Sequence, residues 1–109
     1  MKSSHAVTAL SALAQDHRLA TFRLLVQAGP DGVPAGQIAA RLGIPNSSLS
    51  HHLAQLAEAG LVQQRRDGRS LVYSADFPAM RNLVDFLTEN CCGGEDCAPA
   101  IPDKELMQS

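Results

Sequence analysis

The sequence predicts a mainly α domain carrying one β-hairpin, and three observations carry that prediction. Apolar residues recur at helical spacing in five stretches, Gly- and Pro-bearing breaks separate them, and Asp67-Gly68 divides two short β-capable runs. The third and fourth helical stretches are short and joined through Gly43, the arrangement of a helix-turn-helix, so the hairpin that follows is the wing of a winged helix-turn-helix.

Each element has its own signal. Ser3 to Ala14 places Val7, Leu10 and Ala14 on one helical face, with Ser3 or Ser4 as the cap. Asp16 to Ala28 repeats the pattern with Leu19, Phe22, Leu25 and Val26, and Gly29-Pro30-Asp31-Gly32 then favours a turn over helix. Pro34 suits the first turn of a third helix that points Ile38, Ala39 and Leu42 inward and stops at Gly43. Pro45-Asn46 opens a fourth, with Leu49, Leu53, Leu56 and Ala57 inward and Gly60 at its end. Leu61 to Arg66 and Ser70 to Ser74 flank Asp67-Gly68-Arg69, a strong short-range hairpin signal. A last helix, from Phe77 or Pro78 to Asn90, carries Met80, Leu83, Val84 and Leu87 on its apolar face. The tail after Cys97 contains Pro99 and Pro102, shows no periodicity and is expected to be loosely ordered.

A chain of 109 residues supports one small domain, and a domain of that size buries a modest fraction of its surface, so a partner subunit is expected to help. With no Trp, one Tyr and three Phe, the core must be built from aliphatic side chains. No apolar run approaches the ~20 residues of a membrane span, and the N-terminus lacks a basic-then-apolar leader. The expected location is therefore the cytoplasm, with no membrane partner.

The net charge of −2 is unevenly distributed. Residues 1–40 set Lys2, Arg18 and Arg23 against Asp16 and Asp31; residues 41–75 set Arg41, Arg65, Arg66 and Arg69 against Glu58 and Asp67. Most of the acids lie beyond residue 75, so a basic footprint survives in the first two thirds.

With Leu49, Leu53 and Leu56 turned inward, the opposite stripe of the fourth helix holds Ser47, Ser48, His51 and Gln55, with Asn46 and Ser50 at its edge. Short or planar hydrogen-bonding groups of this kind suit base edges and phosphate oxygens in a major groove. A merely solvated face is the alternative for an isolated helix; the helix-turn-helix setting favours DNA. His52 lies three residues after Leu49 and is expected to be half-buried, a supporting contact rather than a base reader. Arg65, Arg66 and Arg69 cluster at the hairpin tip, where they suit phosphates or a minor groove, although edge charges also prevent strands from pairing with other chains. Tyr73 stands on the returning strand.

The run from Gly43 to Leu53, then Leu56-Ala57-Glu58-Ala59-Gly60-Leu61-Val62, Arg65-Arg66-Asp67-Gly68-Arg69 and Val72-Tyr73, resembles the ArsR/SmtB family of metal-responsive repressors over roughly residues 5–90. That resemblance implies a homodimer formed by the first and last helices, recognition helices in successive major grooves of operator DNA, and derepression by an inducer. On this reading residues 1–90 are the DNA-binding and dimerisation domain, and residues 91–109 an inducer-binding tail.

Two ligand sets common in the family are absent from the sequence. Val33-Pro34-Ala35-Gly36-Gln37-Ile38-Ala39 has no cysteine pair, and the last helix has Asp85 and Glu89 but no histidine. Cys91, Cys92 and Cys97 remain, an odd cluster within seven residues that resembles the C-terminal cysteine site of an arsenic-responsive branch. Trivalent arsenic and antimony are soft and take three sulfur ligands in a pyramid, so As(III) or Sb(III) is the expected inducer, with no obligatory cofactor. Gly93-Gly94 gives the backbone freedom to return Cys97 toward the vicinal pair. Glu95 and Asp96 offer instead to complete a site for a harder metal, with His5 reaching it from the first helix where the dimer brings them together; zinc, cadmium, methylated arsenic and oxidants are the alternative signals. A thiol metallochaperone or redox enzyme is the reading from another class, and no acid-base constellation or cofactor loop accompanies the thiols to support it.

Overall fold

Short breaks, several of them closed by a glycine of positive φ, divide the chain into the expected helices and hairpin, with one short strand added. The computed structural model describes residues 1–94. Helix α1 spans Ser3–Leu13, α2 Asp16–Ala28, α3 Ala35–Leu42, α4 Asn46–Glu58 and α5 Phe77–Thr88. Strands β1 (Val33–Pro34), β2 (Val62–Asp67) and β3 (Ser70–Ala75) form an antiparallel sheet in the order β1-β3-β2, and a short 3₁₀ turn, Cys91–Gly94, follows α5. No described helix is long and apolar enough to cross a membrane.

Helix α1 packs on a face other than the one its larger residues mark. Ala6, Ala9 and Ala12 are buried, whereas Val7 and Leu10 are 62% and 42% exposed and Ala14 is exposed. Alanines three residues apart let the α1 backbone lie close to α2 and α4, and the bulkier stripe is left facing outward. Neither Ser3 nor Ser4 caps the helix: Lys2 is the N-cap residue and makes no side-chain cap bond. At the next corner the Gln15 side chain accepts from the Arg18 backbone N–H at 2.8 Å, and Arg18 Nε donates to the Ala12 carbonyl at 2.6 Å, joining the end of α1 to the start of α2.

Helix α2 buries Phe22 and Leu25 as its periodicity requires, but Leu19 is 45% exposed and Thr21 is fully buried. The Thr21 hydroxyl is satisfied within the helix, donating to the His17 carbonyl at 2.7 Å. Pro34, expected inside α3, instead caps it from the end of β1, where Val33 pairs with Tyr73 and Pro34 with Val72. The edge position suits a residue with no N–H to give. Gly32 makes this strand reachable: its φ is +77°, and a Cβ there would lie 2.5 Å from the Tyr73 carbonyl oxygen.

Helices α3 and α4 end alike. Gly43 is left-handed, its N–H and that of Ile44 bonding back to Ala40 and Ala39; Gly60 is also positive in φ, its N–H and that of Leu61 bonding to Ala57 and Leu56. This double closure satisfies carbonyls that a helix end otherwise leaves bare. Leu49, Leu53 and Leu56 of α4 are at most 1% exposed and meet Leu25, Ile38 and Leu61 in one aliphatic core. Ala57 is exposed, being one residue beyond the leucine stripe and therefore about 100° around the helix.

In the hairpin, Asp67 pairs with Ser70, so the turn is Gly68-Arg69, one residue later than the Asp-Gly signal places it. Gly68 has φ +63° at the first central position, as a type II′ turn demands. Asp76 then starts α5, its Oδ1 accepting from the Ala79 N–H at 3.0 Å and its Oδ2 from Gln63 Nε2 at 3.0 Å. Helix α5 stops at Thr88, short of Asn90, and Leu83 is its one fully buried residue.

Candidate nucleic-acid interface and thiol turn

The seat of α4 is made by its leucines, and this decides what the opposite face presents. Asn46, Ser47, Ser50, His51 and Gln55 are exposed, while Ser48 is half-buried at the edge. Five groups that donate or accept hydrogen bonds, none of them charged except through His51, therefore stand on a helix whose axis is fixed by apolar contacts beneath. Gln55 also lines a groove with Val7, Ser11, Arg18 and Glu58, at the end of α4 that abuts α1.

The wing places its three arginines differently from one another. Arg65 pairs across the ladder with Val72 and Arg66 with Leu71, so successive side chains leave opposite faces of the hairpin; Arg69 stands in the turn. All three are exposed. Tyr73, paired with Gln64, is half-buried against the core, which leaves less of its ring to reach outward. Arg41, in the last turn of α3, is a further exposed cation on the helix-turn-helix, placed where a positive charge complements the helix dipole.

His52 is half-buried between α4 and the start of α2. Its ring centroid lies 5.6 Å from that of His17 with the planes 69° apart, and 6.1 Å from that of His51. Burial, then the neighbouring His17, Arg18 and His51, lower its pKa below the ordinary 6.5. The approach of His17 was not legible in the sequence: 35 positions separate it from His52, and no spacing rule connects them.

The cysteines follow α5 directly. Cys91 and Cys92 are exposed with their sulfurs 3.6 Å apart, and Cys92 is disulfide-bonded. Asn90, Cys92, Gly93 and Gly94 all take positive φ, and the Gly93 N–H closes on the Asn90 carbonyl at 3.0 Å, so the chain reverses sharply after the helix. Glycine adopts this backbone without strain; for Asn90 and Cys92 it is the less common state. Cys97, Glu95 and Asp96 lie outside the described residues, as does the tail beyond them. Among the described residues no group of three His, Cys, Asp or Glu side chains is placed to hold a metal ion, so His5, Asp85 and Glu89 do not form such a set there.

A core-seated helix with a polar outer face, preceded by a tight glycine turn and followed by an arginine-tipped hairpin, defines a winged helix-turn-helix DNA-binding regulator. Residues 13–65 match a family model described as a helix-turn-helix domain. The nodulation protein NolR of Rhizobium meliloti is 31% identical over 99 residues, which cover 91% of this chain and 76% of NolR. A putative arsenical resistance operon repressor, ArsR, of Halobacterium salinarum is 41% identical over 63 residues, 58% of this chain and 48% of that protein. Among solved structures, the homodimeric winged helix-turn-helix DNA-binding domain of a possible ArsR-family regulator from Mycobacterium bovis superposes with a TM-score of 0.65 at 25% identity, covering 84% of this chain and 85% of that one. The chain belongs to the ArsR/SmtB family of transcriptional regulators; it binds DNA and is not an enzyme.

Proposed function

We propose that the protein is a homodimeric repressor that leaves its operator when trivalent arsenic or antimony binds Cys91, Cys92 and Cys97. Asn46, Ser47, Ser50, His51 and Gln55 face the major groove, with Ser48 and His52 supporting them. Arg65, Arg66 and Arg69 hold phosphates or the minor groove, and Tyr73 braces the wing. Residues 1–90 bind DNA and dimerise; residues 91–109 sense the inducer.

The dimer is supported by apolar surface that one chain leaves uncovered. Val7 and Leu10 of α1 and Val84 and Leu87 of α5 are 42–62% exposed, large apolar side chains on two helices that a partner could cover. On this reading a two-fold axis pairs these helices and sets the two α4 helices about one DNA turn apart, ~34–36 Å, on the operator.

The single observation that carries the metalloid reading is the 3.6 Å separation of the Cys91 and Cys92 sulfurs on an exposed turn. Thiolate bonds of about 2.3 Å meeting near 100° at one centre span about 3.5 Å, so once the disulfide at Cys92 is reduced, sulfurs at this separation suit a common soft ion. The turn continues directly from α5, so a change in its conformation acts on the end of a dimerisation helix. The Halobacterium relative, named for arsenical resistance, supports the same signal. A thiol–disulfide signal at the same exposed cysteines is the second reading, favoured by the disulfide at Cys92.

The deciding experiment is fluorescence anisotropy of the reduced protein on its own upstream DNA, titrated with arsenite, antimonite, zinc, cadmium and hydrogen peroxide in parallel. Release by arsenite or antimonite, abolished in Cys91→Ser, Cys92→Ser and Cys97→Ser, is the expected result. Release by peroxide alone transfers the signal to oxidants, and absence of operator binding overturns the repressor reading.

A further inference from the structure

Three of the four histidines, His17, His51 and His52, meet where the first turn of α2 packs against α4. His51 belongs to the outward face. His52 does not: its Nδ1 is buried and has no hydrogen-bond partner among the described residues. An orphaned acceptor inside the fold is tolerated at modest cost, but protonation converts that nitrogen into a charged donor with nothing to receive it. The groups acting on the ring are His17 and Arg18 from α2 and His51 from α4 itself, all cationic or able to become so. The other elements packed against α4, namely α1, α3 and β2, contribute none of the groups that act on it, and no carboxylate is among them.

We propose that His52 is a positioning residue: neutral, it seats the recognition helix against the start of α2, and protonated, it loosens that seat and weakens operator binding. This inference rests on the reading of α4 as the recognition helix and adds to it a proton-linked control.

The sign follows from the lowered pKa. Above the ordinary value of 6.5, His52 is neutral whether α4 is seated or loosened, and pH has no leverage through it. As pH falls through 6.5, the loosened state takes up a proton that the seated state resists, so the seat weakens until pH passes the lower, seated value. His51 lies exposed on the outward face of α4, where its own effect on operator binding is direct. The two effects must therefore be separated by variants.

The test compares operator affinities at about pH 7.5 and about pH 5.5, at fixed salt, as a ratio within each variant. His51→Asn removes the outward histidine, and in it affinity is expected to fall by roughly threefold or more across that interval. In His51→Asn combined with His52→Phe the fall is expected to vanish; His52→Gln replaces Phe if the latter does not fold. Equal ratios with and without His52 overturn the inference. An NMR titration of the His52 ring in the unbound protein decides independently, since a midpoint at or above 6.5 overturns it as well. Failure of the parent protein to bind its operator at pH ~7.5 defeats the repressor reading, whereas tight binding with a flat His52-independent profile defeats only this one.

Discussion

Helices α4 and α5 are nearly equal in length, 13 and 12 residues, yet they complete their packing in different ways. Helix α4 hides Leu49, Leu53 and Leu56 at no more than 1% exposure inside its own chain, and apart from the half-buried Ser48 and His52 the rest of it is exposed. Helix α5 buries Leu83 and leaves Val84 and Leu87 at 49% and 57%. Beside it an apolar groove of about 320 Å³ opens between α2 and α5, lined by Leu19, Phe22, Val26, Met80 and Leu83. The contrast shows how one small chain divides its apolar residues: a finished core seats α4, while α5 keeps an uncovered apolar surface that the proposed dimer would cover. A reading helix gains from being fixed before DNA arrives, because the ordering is then complete before binding.

The comparison is broken most severely from the α4 side. Leu53→Ala removes a side chain that is 1% exposed and touches the centre of the core. A loss of about 2–5 kcal/mol is expected, a large part of the stability of a domain this size. Urea unfolding followed by circular dichroism measures it, and a loss under 1 kcal/mol would contradict the seat described for α4. The α5 side should behave differently. Leu87→Glu touches little within one chain, so the helical content is retained, but sedimentation equilibrium should show the dimer weakened at least tenfold, with operator affinity falling alongside it. If Leu87→Glu dimerises like the parent chain, the exposed α5 stripe has another purpose.

The same contrast explains what was legible in the sequence. The helices, the glycine ends at Gly43 and Gly60 and the hairpin were readable because each depends on neighbouring residues. Inward positions on α4 were also readable, since its three leucines repeat at i, i+4 and i+7. On α1 periodicity misled: Val7 and Leu10 mark a true apolar stripe, but one that the chain turns outward, while Ala6, Ala9 and Ala12 take the interior. A hydrophobic pattern says which face avoids water and not whether the partner is the same chain. The two-residue strand β1 and the His17–His52 contact escaped because both join distant segments, Val33 with Tyr73 and His17 with His52, through tertiary packing alone. The turn fell one residue late because Gly68 is needed at the first central position rather than the second.

The smallest expected effect sharpens the comparison at the helix starts. Helix α4 begins after Pro45 with no side-chain cap, whereas Asp76 caps α5 and simultaneously holds Gln63 of β2. Asp76→Ala removes both bonds and is expected to cost about 1 kcal/mol, typical for loss of an N-cap acceptor. Asp76→Asn keeps an oxygen for the Ala79 N–H and should recover most of that loss, because an exposed side-chain bond to Gln63 adds little. Thermal unfolding of the two variants at one protein concentration separates the terms. Equal destabilisation by Ala and Asn would place the value of Asp76 in its charge near the α5 dipole or in its tie to the wing, and the start of α5 would then be held from outside the helix.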